Sequence, residues 1–167
     1  MLLKPDIKLK RITDVSLERL KSKGITALLL DVDNTMSTHH GMVLTDGLEV
    51  WISEMLGGGI KLLIVSNSTK KRVKPFAEKI GLDYISLGLK PLPNGFIRGC
   101  KRLGVKKINA AIVGDQIFTD VLGGNLAGLT TILLTPIKPE ASLRFRFKRK
   151  LEKAVYKMHK INEMEGK

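Results

Sequence analysis

Asp31 and Asp33 stand two residues apart at the end of an apolar run, Ile25 to Leu30. Two carboxylates at that spacing repel each other and need a cation, a proton or hydrogen bonds to coexist. A strand end with a purely structural job gains nothing from such a pair, so the arrangement points to chemistry. Two further apolar runs end in a similar way: Lys61–Ser66 leads into Asn67-Ser68, and Ala110–Gly114 leads into Asp115-Gln116. Asp, Ser and Asn are ordinary helix N-caps, so any one of these endings has a bland explanation. Three endings together with a double aspartate fit that explanation much less well.

To act together, these residues need a common edge, and the hydrophobic pattern supplies one. Strands are expected at Thr26–Val32, Lys61–Ser66, Tyr84–Leu87, Ala110–Gly114 and Thr130–Thr135. Helices are expected at Asp46–Met55, Lys70–Ile80, Asn94–Leu103 and Phe118–Ala127. Gly24, Gly81, Gly104 and Gly128 follow helical stretches, where a left-handed terminal residue is common. Alternating βα units of this size imply a parallel sheet with helices on both faces. Such a sheet brings every strand's carboxyl end to one edge, where ligands bind.

The 167 residues suit one domain with a sizeable core. Hydrophobic content of 43% and charged content of 27% exclude a disordered chain. The longest apolar runs are about six residues, against the ~20 of a membrane-spanning helix. The N-terminus lacks the pattern of a secretory signal, so a cytoplasmic protein, peripheral to the membrane at most, is expected. The lone Cys100 excludes an internal disulfide, gives no zinc pattern and reads as packed in a helix. The net charge of +13 is unevenly spread. Residues 1–24 hold seven Lys/Arg against three Asp/Glu, residues 25–137 twelve against nine, and residues 138–167 ten against four. A nearly balanced middle with basic ends suggests a catalytic or binding core flanked by segments that meet a polyanion.

At this level the sequence resembles the haloacid dehalogenase (HAD) superfamily of phosphatases. Asp31-Val32-Asp33-Asn34-Thr35 matches its first motif, DxDxT, and Ser66-Asn67 its second, a hydroxyl residue ending a strand. Lys90, in Leu89-Lys90-Pro91, matches the third, and Gly114-Asp115 through Asp120 the fourth, GDxxxxD. The order is right, and the matching region spans about residues 25–135. The stretches DVDNT, IVSNS and GDQIFTDVLGGN and the basic tail RFRFKRKLEKAV are similar to the YqeG-type subgroup, subclass IIIA. That subgroup is related to the mitochondrial phosphatidylglycerophosphate phosphatase of yeast. The resemblance implies an α/β, Rossmann-like, three-layer fold around a parallel sheet.

It also implies roles that make physical sense. Asp31 would attack phosphorus and form an aspartyl-phosphate, splitting hydrolysis into two steps. Asp33 would protonate the leaving oxygen and later deprotonate water. An anion attacking a dianion calls for a cation, and Mg²⁺ favours carboxylate and phosphate oxygens. The resemblance assigns Mg²⁺ to the Asp31 and Asp115 side chains and the Asp33 backbone carbonyl, with Asp120 as ligand or close support. Ser66, with the Asn67 backbone N–H, would bind a phosphoryl oxygen, and Lys90 would bridge the phosphate and Asp31. Thr35 would support the loop that carries Asp33.

Other candidates carry less. His39 and His40 are adjacent, would point opposite ways on a strand, and read as exposed loop, with substrate contact the alternative. Gly57-Gly58-Gly59 precedes a strand and reads as a helix-to-strand turn, not a phosphate loop. Gly123-Gly124 reads as close packing.

Substrate size is bounded by the gaps. Neither Thr35–Thr45 nor Ser68–Lys90 can hold a folded cap domain, since domains need roughly 50 residues. A capless, open site suits a phosphate on something large or interfacial. In the tail, Phe147, Leu151, Ala154, Val155, Met158 and Ile161 recur at helical spacing among Arg149, Lys150, Lys153, Lys157 and Lys160. Such a helix lies on an anionic membrane or covers the sheet. The expected activity is Mg²⁺-dependent phosphomonoester hydrolysis, with phosphatidylglycerophosphate the substrate implied by resemblance. The alternatives are a soluble nucleotide, nucleic-acid-end or protein phosphatase, or a non-catalytic RNA- or ribosome-associated module. Nucleic acid is the weaker partner, given 5% aromatic content.

Overall fold

Six parallel strands form a single open sheet in this computed structural model, which describes residues 2–37, 43–137 and Ala154. They are β1 Ile7–Leu9, β2 Ala27–Leu30, β3 Lys61–Val65, β4 Asp83–Ile85, β5 Ala110–Gly114 and β6 Thr130–Leu134. Their spatial order is β1-β6-β5-β2-β3-β4. The sequence order reverses at the centre, where β2 pairs β5 on one side and β3 on the other; Leu29 sits opposite both Ile112 and Leu63. That reversal is the switch point where open sheets of this kind bind ligands.

The central strands are buried on both faces, as their unbroken apolar composition requires. Alternate residues of β2 serve opposite layers. Leu28 and Leu30 pack in one cluster with α1 (Leu17–Ser22), α2 (Leu48–Gly57) and α3 (Lys70–Ile80), through Leu20, Trp51, Met55 and Phe76. Ala27 and Leu29 pack in the other with α4 (Asn94–Leu103) and α5 (Leu122–Ala127), through Phe96, Cys100 and Ala127. The result is the expected three-layer α/β arrangement. Gly24, Gly81, Gly104 and Gly128 all take the left-handed conformation.

Beyond shifts of one or two residues at element ends, as at β4, which runs Asp83–Ile85 against Tyr84–Leu87 expected, the structure differs from the sequence reading in two places. Residues 1–24, read as a basic flank, also supply β1 at the sheet edge, with Ile7, Leu9, Ile12, Val15 and Leu20 buried. Asp6 anchors that edge by accepting the Thr131 backbone N–H at 2.8 Å and its hydroxyl at 2.9 Å. The helix expected over Phe118–Ala127 is instead a π-helical turn, Ile117–Val121, followed by α5. Gly123 and Gly124 are tightly packed, as expected: a Cβ at Gly123 would strike the Phe96 ring, and one at Gly124 would strike Ile112.

Between Ser68 and Lys90 the chain forms only α3, β4 and their connections. Among the described residues no helix is long and apolar enough to cross a membrane. His39, His40 and the tail stripe lie outside the described residues, apart from Ala154, which is helical and exposed.

Candidate active site

Asp31 continues the pairing of β2 with β5 for one more residue, its N–H donating to the Val113 carbonyl at 2.9 Å. The chain then turns sharply. The Val32 carbonyl accepts from the N–H groups of Thr35, Met36 and Ser37 at 3.1–3.3 Å. Asn34 takes a left-handed φ of 58°, a conformation asparagine tolerates better than most residues. This turn separates the environments of the two aspartates: the Asp31 side chain is 8% exposed and that of Asp33 22%. The Thr35 hydroxyl is buried, with no hydrogen-bond partner among the described residues.

Lys90 arrives from the loop after β4 and is itself buried. Its ammonium donates to Asp31 Oδ1 at 2.6 Å and to Asp120 Oδ1 at 2.7 Å. The Asn67 side chain holds the backbone behind it: the Lys90 N–H donates to Asn67 Oδ1 at 2.7 Å, and Asn67 Nδ2 donates to the Lys90 carbonyl at 3.0 Å. Ser66, also buried, leaves β3 with its N–H on the Ile85 carbonyl. Its hydroxyl accepts the Ser68 N–H at 3.1 Å.

Asp115 and Asp120 come from the end of β5 and the π-helical turn, and both are 1% exposed. A π-helical turn of this kind often marks a functional site. Asp120 Oδ2 accepts the Gln116 N–H at 3.2 Å. The carboxylate lies over Gly114, where a Cβ would collide with it, so glycine is required there. Carboxylate oxygens of Asp31, Asp115 and Asp120 lie within 4.8 Å of one another. Three buried carboxylates and one amine leave excess negative charge in a place that disfavours it. An all-oxygen donor set of this kind fits a hard divalent cation.

The electrostatics agree with that fit. Burial raises the Asp31 carboxyl from 3.8 to about 7; the Lys90 ammonium opposes the rise and the neighbouring Asp120 adds to it. Burial pushes the Lys90 amine down, but Asp120 and Asp31 outweigh burial and hold it above its ordinary value. Lys90 is therefore a fixed cation, and Asp31 is the partner whose ionisation is costly. A second positive charge beside Asp31 would relieve that cost.

One participant was invisible in the sequence. Arg72, in the first turn of α3, donates from Nη2 to Asp33 Oδ1 at 3.0 Å. The available signal was Lys70-Lys71-Arg72 opening a helix, where cations oppose the helix dipole. The Asn67 side-chain clamp on Lys90 was also missed, since only its backbone N–H was expected to matter.

A family described as "haloacid dehalogenase-like hydrolase" matches residues 5–128. The chain belongs to the haloacid dehalogenase-like hydrolases. The HAD assignment agrees with a 36% identity over 151 residues to "Probable phosphatase YqeG" of Bacillus subtilis, across 90% of this chain and 88% of that protein. A more distant relative is "Phosphatidylglycerophosphate phosphatase 1, chloroplastic/mitochondrial" of Arabidopsis thaliana, 26% identical over 163 residues. That match takes in 92% of this chain but 47% of the plant protein. The cobalt-bound deoxy-D-mannose-octulosonate 8-phosphate phosphatase of Haemophilus influenzae shares the fold, with a TM-score of 0.57 at 14% identity, over 82% of this chain and 90% of that one. The Bacillus relative thus places this HAD chain with the phosphatases of its family, and the structural neighbour shows the shared fold.

Proposed function

We propose that this protein hydrolyses phosphomonoesters through an aspartyl-phosphate on Asp31, and that its substrate is a phospholipid of the phosphatidylglycerophosphate type. The observation that carries the chemistry is the Lys90 ammonium held between buried Asp31 and Asp120, with Asp115 within reach of the same point. Asp31 Oδ attacks phosphorus. Lys90 steers the carboxylate and offsets charge on the phosphoryl group. The Ser66 hydroxyl donates to a phosphoryl oxygen. Asp33, on the more open side of the turn, gives a proton to the leaving oxygen and later takes one from water.

Asp31, Asp115 and the Asp33 carbonyl would hold Mg²⁺, with Asp120 anchoring Lys90 beside it. The cation would supply charge neutralisation for attack on a dianionic phosphate. Asn67 acts through the Lys90 backbone, and Arg72 holds Asp33 until substrate arrives.

The lipid reading is supported by the plant relative's name and by the short connections around the site, which suit a bulky or interfacial substrate. Asp31→Asn is expected to lose p-nitrophenyl phosphate hydrolysis by roughly 10⁴-fold or more while keeping its fold; a variant with most of its activity would overturn the nucleophile assignment. A substrate screen with phosphatidylglycerophosphate in mixed micelles, with and without Mg²⁺, tests the rest. Faster turnover of soluble esters than of every lipid ester would remove the lipid reading and favour a nucleotide or phosphoprotein.

A further inference from the structure

Leu87, Leu89 and Leu92 are 54%, 58% and 53% exposed, three large apolar side chains within six residues. They belong to the loop that delivers Lys90. Leu87 and Leu89 take left-handed φ values of 48° and 55°, which glycine or asparagine adopts more easily than leucine. An apolar side chain that is both strained and exposed gains nothing within the isolated chain.

The loop backbone is well anchored. The Leu87 N–H donates to the Ser68 carbonyl at 3.0 Å, and the Gly88 N–H to the Ser66 carbonyl at 2.8 Å. The Leu92 N–H donates to the Leu89 carbonyl at 2.8 Å, and Asn67 clamps Lys90 between them. The leucines therefore stand on a fixed base at the rim of the candidate active site.

The same rim is basic. Lys70, Lys71 and Arg72 open α3 one residue after Ser66-Asn67-Ser68, with no acidic residue in that turn. Lys70 and Lys71 oppose the helix dipole with no ion pair among the described residues in return, whereas Arg72 is held by Asp33. Lys70 and Arg98 line a cavity of about 280 Å³ that reaches Ser86, the residue before Leu87. Neither forms an ion pair with a carboxylate among the described residues.

We propose that this rim docks on an anionic lipid bilayer, Leu87, Leu89 and Leu92 entering the acyl boundary while Lys70, Lys71 and Arg98 meet headgroup phosphates. The inference rests on the lipid-phosphatase reading and deepens it, because docking by this edge brings the open site down to the headgroup layer. Three leucines on a projecting loop suit a fluid surface. They offer no π-face for unpaired bases, and a second copy would bring like charge against like charge.

The test uses the full chain and vesicles of phosphatidylcholine with or without phosphatidylglycerol. Wild type is expected to sediment with the anionic vesicles, and the combined variant Leu87→Ser, Leu89→Ser, Leu92→Ser to lose at least about tenfold in partition. Lys70→Glu with Lys71→Glu is expected to lose a similar factor and to flatten the salt dependence. Leu92→Trp keeps the loop intact and reports insertion directly: brominated lipid should quench its fluorescence in anionic vesicles.

Unchanged partition of the leucine variant, absence of quenching, or tighter binding to an RNA oligonucleotide at matched ionic strength would each overturn the proposal. The two readings fail separately. Docking without turnover of any lipid ester refutes the substrate reading alone. Lipid-ester turnover in micelles with unchanged partition of the leucine variant refutes the docking alone.

Discussion

Asp31 and Asp33 are the same residue type two positions apart, yet their surroundings differ sharply. Asp31 is 8% exposed and its partner Lys90 3%, at 2.6 Å. Asp33 is 22% exposed and its partner Arg72 42%, at 3.0 Å. A buried pair pays a desolvation cost that only good geometry and extra hydrogen bonds offset, and removing one member strands the other. An exposed pair is screened by water and contributes little. One turn of backbone thus separates a carboxylate locked against a buried ammonium from one left partly open beside an exposed guanidinium, a difference that suits the two roles proposed for them.

Breaking the buried side should produce the largest effects. Lys90→Met leaves Asp31 and Asp120 facing each other without a cation. A stability loss of about 3–5 kcal/mol is expected, read as a drop in the midpoint of urea unfolding, and p-nitrophenyl phosphate turnover should fall below detection. A stable Lys90→Met protein would show that the buried triad is not what holds this edge together.

Gly114→Ala places a methyl group against the Asp120 carboxylate. Overpacking of this kind costs about 1–3 kcal/mol. It should also displace Asp120 from Lys90, so turnover should fall further than stability alone accounts for. Thermal unfolding and kinetics on one sample separate the two.

The pH dependence sharpens the contrast. The folded value of Asp31, about 7, lies above the ordinary 3.8. Its contribution to stability is therefore complete below about pH 4 and is lost as pH rises through 7. In metal-free protein, the Asp31→Asn variant should lack that loss. Adding Mg²⁺ to wild type should raise the melting temperature more at pH 8 than at pH 5, because the ion needs the ionised carboxylate. A magnesium response independent of pH would argue against Asp31 as a ligand.

The smallest effect is expected on the exposed side. Arg72→Gln removes a pair worth about 0.2–1 kcal/mol. Turnover should change by at most about fivefold, and the effect should shrink in high salt. A loss as large as that of Lys90→Met would mean that Arg72 touches substrate.

Much of this was legible in the chain. The apolar runs of β2, β3 and β5 are buried on both faces, so their composition alone marks them as central strands. Asp31, Ser66 and Asp115 follow those runs directly, and parallel connections leave no choice about which edge they share. β1 was not legible: three residues, one of them lysine, become a strand only because β6 offers an open edge and Thr131 offers Asp6 its donors. The π-helical turn at Ile117–Val121 was equally hidden, since a π turn is defined by which N–H reaches which carbonyl and not by a residue pattern.

The central strands, the strand-end acids and the glycine caps are local or periodic properties, and periodicity survives in a one-dimensional string. Which cation meets which carboxylate is not local. Lys90 reaches Asp31 across 59 positions and Arg72 reaches Asp33 across 39. The chain by itself determined that acids, a hydroxyl and a lysine would gather at one edge. Tertiary packing alone decided how deeply Asp31 would be buried with Lys90 and that Asp33 would be left open to Arg72, because burial is a property of what the rest of the fold places around a side chain.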